Sequence, residues 1–184
     1  MSFEKPELNK PEKETGSFDR EAEKEKRKEI RKMLEHALTE VLKPVGFKKE
    51  GVSTWLREIK DKIQIVYLQK SQFGHTYYIE AGVCDSKNLG GKKPRIIDCL
   101  GNKRLEGIVS ELDIKEYSEE EAREKEQGIR QLLEFEVPHE IPKKLEDYET
   151  LVPSVDIAEA QNKIESLKKI MKENVPAWLD EQSK

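Results

Sequence analysis

The chain has 184 residues, of which 35% are hydrophobic and 39% are charged. The charged share is far above the usual level of about 25%, so the apolar core must be concentrated in a few segments. No apolar run approaches the ~20 residues that span a bilayer, and no signal-peptide centre occurs in the first ~30 residues. We therefore expect a cytoplasmic protein without a membrane span.

The charge is distributed unevenly along the chain. Residues 44–104 carry 12 basic and 6 acidic residues, net +6, whereas residues 105–184 carry 11 basic and 21 acidic residues, net −10. A basic middle can bind an anionic partner such as a nucleic acid. It can also be neutralised by the acidic helices that follow. We favour the second interpretation because the excess is small for a nucleic-acid-binding domain.

The first 17 residues combine two prolines with alternating charge and offer no apolar face, which predicts a disordered tail. Residues 18–184 are then predicted to form a single domain, with a helix and a sheet over 18–105 and an acidic helical region over 106–184. The first helix is predicted over Asp19–Lys43, because its apolar residues from Ile30 onward recur at steps of three and one. Pro44 and Gly46 should end it.

The apolar period then changes from helical to alternating, and short turn sequences separate the runs. This pattern predicts a four-stranded antiparallel meander, with "RIIDCL" at 95–100 as a fifth strand. In the third strand, Ile63, Ile65 and Tyr67 face one side while Val66 and Leu68 face the other. Such a strand is covered on both faces. The predicted strands are Phe47–Glu50, Ser53–Ile59, Lys62–Lys70 and Thr76–Cys84.

Helices are predicted again in the acidic region. Ser118 with Glu121 forms a capping box for a helix over Ser118–Glu134. Asp156 should cap the last helix, with a kink or a short break at Pro176. Asp85–Pro94 reads as a flexible basic loop, and residues 104–112 are ambiguous between helix and strand. The predicted fold class is thus α+β, a sheet of four to five strands packed by an N-terminal helix and C-terminal helices.

No constellation of residues predicts a metal site, a cofactor or a catalytic set. His36, His75 and His139 lie on different elements without a helical partner, so a surface or structural role is expected for each. Cys84 and Cys99 do not form a C-x-x-C motif. We expect them to be buried, reduced and inert thiols.

A polar strand end is the one unusual feature of the apolar sheet. Alternation puts Gln69 on the side of Tyr67 and Lys70 on the opposite side. A lysine at such a place usually lays its stem on apolar neighbours and keeps its ammonium group in water. The alternative is a polar rim of Gln69, Lys70, Ser71 and Arg104 that recognises an anionic or carbonyl group on a partner.

The stretch "LKPVGFKKEGVSTWLREIKDKIQIVYLQKSQFGHTYYIEAGV", followed by "DC" at Asp98–Cys99 and "RL" at Arg104–Leu105, resembles the domain of unknown function 4304 family. The resemblance covers about Leu38–Leu105 well and the acidic region loosely, and this chain lacks a tryptophan pair after the "RL" position. It implies an α+β domain of small, mostly bacterial, cytosolic proteins. It implies no activity, cofactor or partner.

The function predicted on this basis is a non-enzymatic module that binds a protein partner through the sheet end and the basic loop, where Lys92 and Lys93 lie. An immunity- or accessory-type role is a fold-level association only. Two alternatives remain, a nucleic-acid-binding domain that uses residues 44–104 and an enzyme that uses Lys70. A homodimer through an uncovered sheet face is a further alternative to a separate partner.

Overall fold

A computed structural model describes residues 20–71, 76–108, 119–135 and 156–184. These residues form one antiparallel sheet and three helices of four or more turns, an α+β fold as predicted. None of the described helices is long and apolar enough to cross a membrane. The elements in chain order are α1 (Arg20–Leu42), β1 (Lys48–Glu50), β2 (Thr54–Ile59), β3 (Lys62–Lys70), β4 (Tyr77–Asp85), β5 (Leu100–Arg104), α2 (Glu119–Leu133) and α3 (Ile157–Gln182).

The helix α1 buries a single apolar stripe. From Ile30 to Leu42 its apolar residues recur at helical spacing and are covered, whereas most residues of its first turns are exposed, as the sequence predicts. A short turn at Lys43–Val45 ends it, and the N–H of Gly46 donates to the Lys43 carbonyl at 3.1 Å. Gly46 has φ +93°, a left-handed conformation that glycine adopts without strain.

The five strands lie in the order β1-β2-β3-β4-β5, so each strand pairs with its neighbour in the chain. The register confirms the predicted meander. The fifth strand, however, is not "RIIDCL". Ile96–Asp98 instead form a tight turn, because the Asp98 carboxylate accepts hydrogen bonds from the backbone N–H and the guanidinium of Arg95. The strand begins only at Leu100.

One face of the sheet, here called the helix face, is covered by α1, α2 and α3. Its buried side chains from the strands join the helices in the main core. Gln64, fully buried on this face, donates to the Leu179 carbonyl at 3.0 Å and to Ser183 Oγ at 2.8 Å, and accepts from Arg57 at 2.7 Å. These bonds fix the end of α3 to the middle of the sheet. The buried strand residues of the helix face are Trp55, Gln64, Val66, Leu68, Tyr77, Ile79, Ala81 and Val83.

The other face, here called the open face, is covered in part by residues 86–99. Ile65, Cys84 and Cys99 form a small separate core there, with Leu89 and Ile96 packed against it. Gly82 permits this contact, because a Cβ at its position would lie 2.9 Å from Cys99 Cβ and 3.2 Å from Ile96 Cδ1. The segment predicted as a flexible loop therefore includes packed residues. These residues therefore partly cover the face of the sheet that lies opposite α1.

The expectation of two reduced thiols is wrong, since Cys84 and Cys99 form a disulfide with their Cα atoms 4.3 Å apart. The cause lies in the tertiary fold. Cys84 is near the end of β4, and the chain must return to this same point before it pairs β5 with β4. The bond thereby fastens the covering segment to the sheet.

The last helix begins as predicted, with the Asp156 carboxylate accepting hydrogen bonds from the N–H groups of Ala158 and Glu159. Of the kink or short break predicted at Pro176, the break does not occur, since α3 runs on to Gln182. Residues 105–108 are helical, which decides part of the ambiguous segment. Four predictions lie outside the described residues: the tail over 1–17, the Ser118 cap, and the settings of His75 and His139.

Candidate functional site

A row of five side chains crosses the whole open face, one from each strand. The register pairs Glu50 with Thr54, Thr54 with Tyr67, Tyr67 with Glu80, and Glu80 with Arg104. Four strand spacings of about 4.8 Å make the row about 19 Å long. Tyr67, in the middle of the row, remains partly exposed. We call the neighbouring residues of this face that are at least partly exposed in the described structure the open patch, which consists of Thr54, Tyr67, Gln69, Tyr78, Glu80 and Arg104.

Arg104 organises one end of the open patch. Its guanidinium carbon lies 4.0 Å from the centre of the Tyr78 ring, and its Nε donates to Glu80 Oε1 at 3.3 Å. The Arg104 side chain is 47% exposed while that of Glu80 is only 17% exposed. The arginine is therefore held in place by a ring and a carboxylate. Its planar fork can still bind a further acceptor.

The structure separates the predicted polar rim into two parts. Gln69 pairs with Tyr78 in the register, so Gln69 and Arg104 both lie beside Tyr78 on the open face. Lys70 pairs with Tyr77 and belongs to the opposite face, where it is exposed at the strand end. The backbone N–H of Ser71 donates to the Thr76 carbonyl at 2.9 Å and closes the hairpin. The predicted alternation of Gln69 and Lys70 is confirmed.

Lys92 and Lys93 lie at the other end of the open face. With Arg95 and Asp98 they line a hollow of about 580 Å³ in the covering segment. Lys93 Nζ lies 3.7 Å from Glu50 Oε2, the residue that begins the five-strand row. The Arg95 guanidinium holds the pKa of the Asp98 carboxyl below its ordinary value, chiefly by a hydrogen bond. One of the predicted basic residues, Lys93, thus borders the row at the end opposite Arg104.

One polar residue at the edge of the open patch was missed by the sequence reasoning. Glu106 is only 5% exposed, yet its Oε2 has no hydrogen-bond partner among the residues that the structure describes. It lines a cavity of about 280 Å³ together with Tyr78 and Arg104. In the sequence, only a single carboxylate between the apolar residues Leu105 and Ile108 marks this position. Both apolar side chains are fully buried in the structure.

The described residues contain no group of three or more histidine, cysteine, aspartate or glutamate side chains that could hold a metal ion. No described contact pairs Lys70 with a base or a nucleophile either. The open patch and the cavity beside it bring together two partly exposed tyrosines, a guanidinium held by Tyr78 and Glu80, and the buried carboxylate of Glu106.

Three comparisons with known proteins bear on the identity of the chain. A family model with the description "Domain of unknown function (DUF4304)" matches residues 38–181. The match extends beyond the stretch that carries the resemblance in the sequence, and includes α2 and α3. Searches of curated proteins and of solved structures found no match.

Proposed function

The chain belongs to the DUF4304 family, which assigns it no activity, and we propose that it is a non-enzymatic module that binds an acidic surface of a partner protein through the open patch. The single observation behind this proposal is the Tyr78–Arg104 stack beside the partly exposed Tyr67. All three side chains lie on the open face, and among the described residues each is at least partly exposed.

The composition of the open patch supports a protein partner. Tyrosine and arginine dominate the binding energy of protein interfaces, because they bury a large area while keeping a polar group available. Tyr67 and Tyr78 are fixed by the sheet and Arg104 is fixed by Tyr78 and Glu80. Little side-chain entropy is therefore lost when a partner orders them.

The charge around the open patch supports an acidic partner surface. Lys48 is exposed on β1 and faces the same side as the row, while Lys92 and Lys93 are exposed in the covering segment. Arg104 stands at the other end. Cations at both ends of a row about 19 Å long would steer a carboxylate-rich surface toward the tyrosines between them.

The proposal keeps the cytoplasmic location expected from the sequence. Disulfides are uncommon in that compartment, where thiol systems reduce them. The Cys84–Cys99 bond holds the segment that carries Lys92 and Lys93, so its state affects one border of the open patch. Binding should therefore be measured with both oxidised and reduced protein.

The test starts with a pull-down by the full chain from a cell extract at two salt concentrations, and the captured protein is then purified. Its dissociation constant is measured for the original chain and for Tyr78→Ala and Arg104→Met. We expect each substitution to weaken binding at least about tenfold, which corresponds to about 1.4 kcal/mol. Lys70→Met, on the opposite face, should leave the affinity unchanged and serves as the matched control.

Other results would contradict the proposal. Equal affinities for all the variants would show that the partner binds elsewhere. Recovery that nuclease abolishes, with affinity falling about 10³-fold or more between low and moderate salt for six phosphate contacts, would favour nucleic-acid binding instead. Self-association that Tyr67→Ala removes would identify the partner as a second copy of the chain.

A further inference from the structure

The cavity beside the open patch lies where three segments of the chain meet. The start of β4 and the residue before it provide Tyr78 and Thr76, the end of β5 provides Arg104, and the C-terminal end of α2 provides Arg130. A backbone bridge between Thr76 and Glu134 holds the end of α2 against β4. The cavity measures about 280 Å³, near the lower limit for sites that bind small molecules.

Glu106 gives the cavity an unsatisfied acceptor. Its side chain is about nineteen-twentieths buried, and its Oε2 receives no hydrogen bond within the described part of the chain. Burying a carboxylate oxygen without a donor is unfavourable, and buried polar groups nearly always have a partner. A ligand that brings an N–H donor into the cavity would remove this penalty.

Two guanidinium groups line the same cavity. Arg104 is held by Glu80, and Arg130 donates from Nη2 to Glu126 on its own helix. Both arginines are about half exposed or more, at 47% and 60%. Arginine retains donors for a carboxylate after it has formed one ion pair, because its guanidinium presents five N–H groups.

The combination selects against ligands with a single charge. A simple cation that approaches Glu106 meets Arg104 and Arg130, while a simple anion drawn by the arginines meets the buried carboxylate. A ligand with an ammonium group next to a carboxylate satisfies both kinds of group. A ligand of this kind is also small enough for the cavity.

We propose that this cavity binds a small zwitterion of the α-amino acid type, whose ammonium group donates to Glu106 and whose carboxylate is bound by Arg104 and Arg130. The inference goes beyond the proposed partner protein and does not depend on it. Tyr78 would form the wall between the bound ligand and the open patch.

The experiment uses calorimetric titration and thermal shift on the full chain, with the common L-amino acids as probes. Each active amino acid is compared with the acid that lacks its amine and with the amine that lacks its carboxylate, for example L-leucine with isocaproate and isoamylamine. We expect saturable binding of at least one amino acid and no binding of its two analogues. Glu106→Gln should weaken that binding at least about tenfold, because the amide oxygen can still accept a hydrogen bond from the ammonium group but carries no negative charge.

Two further variants make the result decisive. Arg130→Met, at an exposed helix position, should fold normally and also weaken binding about tenfold, so it tests the proposal if Glu106→Gln does not fold. Glu124→Gln changes an exposed carboxylate on α2 that does not line the cavity and should leave the affinity unchanged. The proposal is wrong if no amino acid binds, if the carboxylate analogue binds equally well, or if Arg130→Met binds normally. None of these results depends on the partner-protein assay.

Discussion

Tyr77 and Tyr78 are neighbours in β4, but they point to opposite faces of the sheet and have different surroundings. Tyr77 is 2% exposed on the helix face, where its ring meets Phe135 edge-on at 5.7 Å, and burial raises its pKa above the ordinary value of 10.0. Tyr78 is partly exposed on the open face, with Arg104 against its ring. Tyr77 belongs to the core under the helices, whereas Tyr78 is left partly exposed among the described residues.

The difference shows how the two faces divide stability and recognition. The helix face joins three helices in one continuous core, so most of the apolar burial occurs there. The open face has only a small core under residues 86–99, attached to the sheet by one disulfide. Removing side chains from the helix face should therefore unfold the protein more readily than removing them from the open face.

The largest expected effect comes from Ile79→Ala on the helix face. Ile79 is fully buried, and an isoleucine-to-alanine change in a core costs about 2–5 kcal/mol of unfolding free energy. Tyr78→Ala, one residue away on the open face, should cost about 1 kcal/mol, mainly the contact with Arg104. Urea denaturation of both variants measures the difference. Equal losses would mean that the open face contributes to stability as much as the helix face.

The second expected effect concerns the disulfide. Its cysteines are 15 residues apart, and closing a loop of that length stabilises a protein by about 3 kcal/mol in the chain-entropy treatment. The double variant Cys84→Ser with Cys99→Ser should lose about 2–4 kcal/mol. Trypsin should then cut after Lys87 or Lys92 before it cuts the helices.

The matched control for this experiment is the original chain under reducing conditions, which should show the same loss and the same early cleavage. Far-ultraviolet circular dichroism should be unchanged in both samples, since the three helices pack on the other face. Identical melting of the oxidised and reduced protein would show that the covering segment stays in place without the bond.

The sequence predicted most of the helix face and less of the open face, for a physical reason. Alternation along β3 assigns Val66 and Leu68 to one side and Ile65 and Tyr67 to the other, because the period of a strand is two. The stripe of α1 follows equally from local spacing. These predictions depend only on residues close together in the chain.

The open face depends on contacts between distant segments. The disulfide requires the chain to return to Cys84 after a loop, and no local pattern specifies this return. The fifth strand was misplaced because Ile96 and Ile97 suggested a strand, whereas Asp98 bonds to Arg95 and forms a turn. The candidate functional site likewise combines features that follow from local spacing with features that need distant segments to meet. The positions of Gln69 and Lys70 follow from alternation, but the burial of Glu106 needs the convergence of β4, β5 and α2.

A third effect tests the contact between the covering segment and the sheet. In Gly82→Ala the added Cβ would lie 2.9 Å from Cys99 Cβ and 3.1 Å from Asn102 Cβ, so we expect overpacking to cost about 1–3 kcal/mol. The cost should fall by at least about 0.5 kcal/mol when Cys84 and Cys99 are serines, because the segment can then move away. A double-mutant cycle in urea measures this coupling. If the losses of unfolding free energy from Gly82→Ala and from the two serine substitutions are strictly additive, the disulfide does not hold the covering segment against Gly82.

The smallest expected effect concerns an ion pair between two helices, in which Lys168 on α3 donates to Glu40 on α1 at 2.8 Å. This hydrogen bond lowers the pKa of Glu40 from 4.5 and raises that of Lys168 from 10.5.

These pKa shifts make the stability of the protein depend on pH. Because the Glu40 pKa is lower in the folded state, the contribution of Glu40 to stability is complete above pH 4.5 and is lost as the pH falls through the folded-state pKa. The contribution of Lys168 is complete below 10.5 and is lost at higher pH. Glu40→Gln should therefore melt slightly below the original chain near neutral pH and together with it in acid, once the pH lies well below the folded-state pKa of Glu40. The control is Glu173→Gln, an exposed carboxylate on α3 without an ion pair among the described residues, which should show no gap at either pH. A gap for Glu40→Gln that persists in acid would mean that the ion pair is not its cause.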